Sequence, residues 1–212
     1  DDKDDPFASD QAHRSSQVRY RISDENLSLG VAALDAFIEK FPTHKLASQA
    51  HLDIALSYLA AGRHEDAVKT LKRFLDNSRY KDSPQIPDAR NLLGRSYQLQ
   101  KKFPEALATW QDYLARHPAH KAWRSVQQEV INTEYLMGLE KCEAKQYGEA
   151  VRLWSEFLAR HPLDRRDAEI LLQFGRMNHA QEKWDTAIAD WLRVVSKYPV
   201  TESAAEAQWR IA

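Results

Sequence analysis

Several series of residues keep one register along this chain, and that register limits the fold more than any other feature. A small residue recurs at Ala67, Ala106, Ala150 and Ala187, in steps of 39, 44 and 37. Four positions later stands a bulky one, Leu71, Trp110, Trp154 and Trp191, in the same steps. Proline closes the segments at Pro42, Pro118, Pro162 and Pro199, while Arg79 takes that place in the second full unit. A period of this length predicts a stacked array. One unit cannot bury its own apolar face, so each packs on the next.

The segment Pro87 to Pro118 shows what each unit contains. Leu93, Gly94, Tyr97, Phe103, Ala106, Trp110 and Tyr113 fall at helical spacing on two faces, which predicts two antiparallel helices. Sparse punctuation, 6 glycines and 8 prolines, favours helices over many short strands. The fold class expected is all-α, a right-handed α-solenoid of antiparallel helix pairs. A hydrophobic content of 43% supplies the core. With 30 basic and 31 acidic residues, the chain carries no charge excess for nucleic acid or an anionic membrane. No run of 18 apolar residues is present to span a bilayer. A single cysteine, Cys142, allows no disulfide within the chain.

In chain order, residues 1–10 read as a disordered acidic terminus and 11–212 as the array. Helix pairs are expected at 11–44, 45–83, 84–120, 121–164 and 165–202, with a sixth beginning at 203–212. Gln11–Arg21 is a weak helix, and Gly30 falls where that pair wants its small residue. Gly62 is expected to make one turn, since glycine accepts a left-handed backbone, and Gln146-Tyr147-Gly148 another. Gly94, Gly138 and Gly175 are placed where two helices cross, and the tryptophans where successive units meet.

These pairs resemble the tetratricopeptide repeat, whose superhelix binds other proteins. The junctions go further. Phe41-Pro42, Ala47, Ala50, Ile54 and Ala55 are matched by Tyr198-Pro199, Ala204, Ala207, Ile211 and Ala212. Helices close on FIEKFP, YLARHP, FLARHP and VVSKYP. In this the chain is similar to bacterial envelope proteins of the outer-membrane assembly lipoprotein and Tol-Pal coordinator classes, over most of residues 25–212. The resemblance implies a non-enzymatic scaffold in the periplasm or cell envelope that binds a peptide or partner protein in its concave groove. The alternatives are a cytoplasmic adaptor of the same repeat, or the helical arm of a multidomain enzyme or of a secreted protein of alpha-2-macroglobulin type.

The search for chemistry returns no catalytic residues, no cofactor site and no metal site. Every glycine is accounted for by the repeat, so no phosphate loop remains. His64-Glu65 lacks the second histidine of a zinc helix, and His117 and His120 flank a loop proline. Helix-A residues pointing away from helix B are therefore the candidate groove. They are Gln49; Asp88, Asn91, Arg95 and Gln98; Asn132 and Tyr135; and Glu169, Arg176 and His179. Arrays that clamp chaperone C-termini use Lys and Asn at groove positions that here read Leu52, Leu56 and Leu92, so that activity is not expected.

Overall fold

The computed structural model describes residues 24–212. The acidic terminus expected at 1–10 and the weak helix at Gln11–Arg21 lie outside the described residues. Among those described there are ten α-helices and no strand. They are α1 Asp24–Lys40, α2 Ala47–Ala60, α3 His64–Leu75, α4 Ile86–Leu99, α5 Phe103–Arg116, α6 Trp123–Glu143, α7 Tyr147–Arg160, α8 Asp167–Ala180, α9 Trp184–Lys197 and α10 Glu202–Ile211. This is an all-α array of helix pairs of the tetratricopeptide type. It falls into two compact units, the first ending at Val130 and the second running from Ile131 to Ala212.

In the first unit α2 packs on α3 and α4 on α5, around Leu71, Phe74, Leu93, Trp110 and Tyr113. A smaller cluster of Val31, Ile38, Ala50 and Ile54 joins α1 to α2. The second unit has one core, built on Trp154, Phe157, Leu171, Phe174 and Trp191. Between α3 and α4 the chain departs from the repeat. A short 3-10 turn, Ser78–Tyr80, replaces the proline junction, and the Asn77 carboxamide caps it by accepting from the Arg79 N–H at 3.0 Å.

The small and bulky positions form one device. A Cβ added to Gly94 would sit closer to the Trp110 indole than van der Waals contact allows; Gly138 stands so against Trp154, and Gly175 against Trp191. Each indole therefore lies on the glycine of its own pair, whereas the sequence placed the tryptophans between successive units. Two of them are also tethered. Trp154 Nε1 donates to the Tyr135 carbonyl at 3.0 Å, and Trp110 Nε1 to the Asn91 side chain at 3.1 Å.

One glycine expectation needs correction. Gly148 lies in the first turn of α7; the left-handed turn residue is Lys145, φ 59°, at the register position of Gly62, φ 73°. Lys101 and Glu182 hold the same position with φ 58° and 60°. Gly30 is exposed, with nothing among the described residues within 4 Å of its missing Cβ, and the helix it was expected to meet lies outside the described residues.

Candidate functional site

Three of the groove residues converge in the second unit. Asn132 and Tyr135 on α6 and Glu169 on α8 line a notch of about 460 Å³, together with Leu136, Arg165 and Arg166. Helical spacing puts Asn132, Tyr135 and Leu136 on one face of α6. The loop before α8 brings in the two arginines.

Arg166 organises the notch. Its guanidinium holds both oxygens of Asp164, at 2.7 and 2.8 Å, and donates to the Asn132 carboxamide oxygen at 2.8 Å. Its flat face covers the rings of Tyr135 and Phe157, 4.9 and 5.1 Å from their centroids. The hydrogen bonds from Arg166 hold the Asp164 carboxyl below the usual carboxylate range. Tyr135 stacks on Trp154, with ring centroids 5.8 Å apart. Burial pushes its hydroxyl up to about 12, aided by the negative charge of Glu169 and a hydrogen bond to it, and opposed by Arg166. The phenol therefore stays a hydrogen-bond donor at any working pH. The notch presents that hydroxyl, the exposed carboxylate of Glu169 and the exposed guanidinium of Arg165 around the apolar Leu136. Such a set can hold the alternating donors and acceptors of a peptide.

The profile of the family described as YfiO, outer membrane lipoprotein, matches residues 48–212. The chain belongs to this family. The YfiO match falls within the residues 25–212 over which the proline junctions carry the likeness. No curated protein matches the sequence. The chain is also similar to several solved structures. The crystal structure of MamA is 14% identical, covering 85% of this chain and 87% of its own, with a TM-score of 0.42. A kinesin-light-chain-like protein of Podosopora anserina with nearly identical TPR-like repeats is 15% identical, covering 98% of each chain, TM-score 0.45. Pseudomonas aeruginosa PilF is 16% identical, covering 96% and 92%, TM-score 0.40. The family match, and not these likenesses, places the chain.

In this YfiO-family chain the other candidates lie elsewhere and are engaged locally. Gln49 donates to Asp53 one turn away, at 2.9 Å. Asn91 accepts from Trp110, and Gln98 donates to Glu129 at 3.3 Å. Asp88 lies 3.9 Å from the His120 ring, and Arg95 is exposed. Arg176 holds Glu206, with one contact at 2.5 Å. His179 sits edge-on to Trp184, 4.7 Å between centroids, and against Trp191. Cys142 is half-buried, and burial pushes its thiol up, away from the thiolate a nucleophile needs. His120 meets the Tyr113 hydroxyl at 2.6 Å, and no group of three metal-ligating side chains occurs among the described residues. No described helix is long and apolar enough to cross a membrane.

Sequence reasoning missed Arg165 and Arg166. Counting helix-A positions cannot find loop residues. The only signal was the Asp164-Arg165-Arg166-Asp167 run, a concentration of charge directly after a helix-closing proline.

Proposed function

We propose that the chain is a non-enzymatic scaffold of the bacterial cell envelope, which holds a peptide or partner protein on its helix-A face. The observation that carries this reading is the notch of Asn132, Tyr135, Glu169, Arg165 and Arg166 on a chain of an outer membrane lipoprotein family. Glu169, to which the Tyr135 hydroxyl donates, supplies an acceptor, and Arg165 a charge for an acidic residue of the partner. Arg176 and His179 continue the same helix face on α8. On the first unit Gln49, Asp88, Asn91, Arg95 and Gln98 form the corresponding set. The helix pairs bordered at 45, 84, 121, 165 and 203 are taken as the units that present these faces.

The test is site-specific photocrosslinking in envelope fractions. A crosslinker at Glu169 should give a discrete adduct that the same group at Arg152, on the outer face of α7, does not give. Adding Tyr135→Ala should weaken the adduct by about tenfold, the usual loss for an interface tyrosine. Identical adducts from 169 and 152 would remove the notch from the account.

A further inference from the structure

Helix α10 carries a surface that the notch does not use. Its Ala204 and Ala207 are buried in the core of the second unit. The next face round the helix is open. Ala205, Gln208 and Trp209, with Ala212 directly after the helix, fall at three and four residue steps, which puts them on one side. All four are exposed, and Trp209 is 75% exposed.

The period shows what such a face meets elsewhere. The step of 37 that joins Ala150 to Ala187 leads from Ala168, Leu171, Leu172 and Gly175 on α8 to these four residues. On α8 every one of them is buried. The cover is α9: Gly175 lies under the Trp191 indole, and Leu171 and Leu172 share one core with Ala187 and Trp191. Tyr135, a further step of 37 back, stacks on Trp154 of α7. Trp209 thus holds a position from which a helix-A side chain meets the second helix of a pair. The open face continues an interface that this unit already makes twice, α6 with α7 and α8 with α9. A solenoid face left to water is polar as a rule, and an indole flanked by two alanines is not.

The residues also say what fits. The second helix of each pair brings an alanine and, four positions later, the bulky residue. Trp110, Trp154 and Trp191 lie on glycines, whereas Leu71 shares a core with Ala55. Ala212 stands at the position of Ala55, so its complement is a leucine and not an indole. Gln208 stands at the position of Glu134, which pairs with Arg160 of α7. Being uncharged, Gln208 calls for a carboxamide or hydroxyl there, and α3 is followed by Asn77 at the place of Arg160. A second copy cannot bring such a helix without opening a pair, because Ala67, Ala106, Ala150 and Ala187 are each fully buried.

We propose that α10 binds an amphipathic helix of a partner protein, which lies against it as α9 lies against α8 and presents an alanine and, four residues on, a leucine. The site is separate from the notch and stands or falls independently of it.

The test uses the full chain with 5-fluorotryptophan at its 6 tryptophans, followed by fluorine NMR. Trp209→Phe assigns the Trp209 signal. The probe is an acetylated, amidated peptide copying residues 61–77, stapled between the positions of Lys69 and Arg73, which are exposed in α3. The staple is there because an isolated helix of this length is marginal in water. The expected result is a saturable shift of the Trp209 signal, with those of Trp110 and Trp154 in place. The peptide with Leu71→Asp should bind about tenfold more weakly, and the peptide with Leu71→Trp should also bind more weakly. No shift, or equal binding by either altered peptide, would overturn the proposal. Two other occupants are read from the free chain. A Trp209 signal without the solvent isotope shift of an exposed indole would mean that the chain covers this face itself. A dimer in sedimentation that Trp209→Lys dissolves would give the face to a second copy. Either result would overturn the proposal as well.

Discussion

The α2–α3 pair and the three pairs that follow solve one packing problem with different residues. In α4–α5, α6–α7 and α8–α9 a glycine faces an indole: Gly94 with Trp110, Gly138 with Trp154, Gly175 with Trp191. In α2–α3 the same two register positions hold Ala55 and Leu71, both fully buried in one core. A methyl is added on one helix where a large ring is removed from the other. Bulk on one helix is met by room on the other, because interiors are close-packed and punish both gaps and overlaps.

The largest expected effects come from breaking that fit. Trp154→Ala should cost about 3–5 kcal/mol, the usual figure for a buried aromatic. Gly138→Ala should cost about 1–3 kcal/mol, because the new methyl must displace the indole. The double variant Gly138→Ala/Trp154→Leu copies the α2–α3 solution. It should be more stable than the sum of its single changes, by about 1–2 kcal/mol of coupling. Urea unfolding of the four proteins measures this directly. Strict additivity would show that the two positions do not share one volume.

A second contrast concerns the inner position held by His51 in α2 and by Glu134 in α6. Glu134 is a buried carboxylate with two partners, Arg160 and His161, while His51 has no hydrogen-bond partner among the described residues. The unfolded chain takes up a proton at an ordinary histidine near pH 6.5, and the folded ring resists it down to about 4. Protonation therefore favours the unfolded state throughout that window. Stability present above pH 6.5 should fall as the pH drops towards 4, by about 3 kcal/mol from this one group. His51→Phe should remove that part of the slope in unfolding experiments at pH 7, 5.5 and 4. An unchanged slope would place the acid sensitivity elsewhere.

A smaller difference separates two of the indoles. Trp154 Nε1 donates to the Tyr135 carbonyl, but Trp191 Nε1 is buried without a partner among the described residues. Replacing each by phenylalanine removes similar ring area. Only Trp154→Phe also loses a hydrogen bond, whereas Trp191→Phe relieves an unmet donor. Trp154→Phe should therefore cost about 1–2 kcal/mol more, read from paired denaturation curves.

The array was legible because its information is periodic. Ala106, Trp110 and Pro118 repeat at a distance, and chance does not repeat them in register. The helix pairing and the glycine positions followed from that, although the glycine–indole contact within each pair did not. Register gives the face of a helix and says nothing of what lies opposite it. The notch was half legible for the same reason. Asn132, Tyr135 and Glu169 are helix positions and could be counted, but Arg165 and Arg166 stand in a loop whose path the period does not constrain. His51 was invisible. Its distinction is a missing partner among the described residues, and the pairing of the exposed Arg73 with Asp35 is a contact between helices that no period encodes.

The turns carry the smallest and most local contrast. Gly62, Lys101, Lys145 and Glu182 take the same left-handed conformation between the helices of their pairs, and only the first is a glycine. A side chain in that region pays in steric contact with its own backbone, by about 1 kcal/mol. Gly62→Ala should therefore destabilise the first unit by about that amount, since its Cβ meets no neighbour that could add to the cost. Lys145→Gly should act in the opposite sense and gain less, about 0.5 kcal/mol, because glycine also enlarges the freedom of the unfolded chain. If both substitutions destabilise, Lys145 is held by contacts beyond its own backbone. The ion pair that Lys141 makes with Glu149 across the same turn, at 3.2 Å, is then the first to remove.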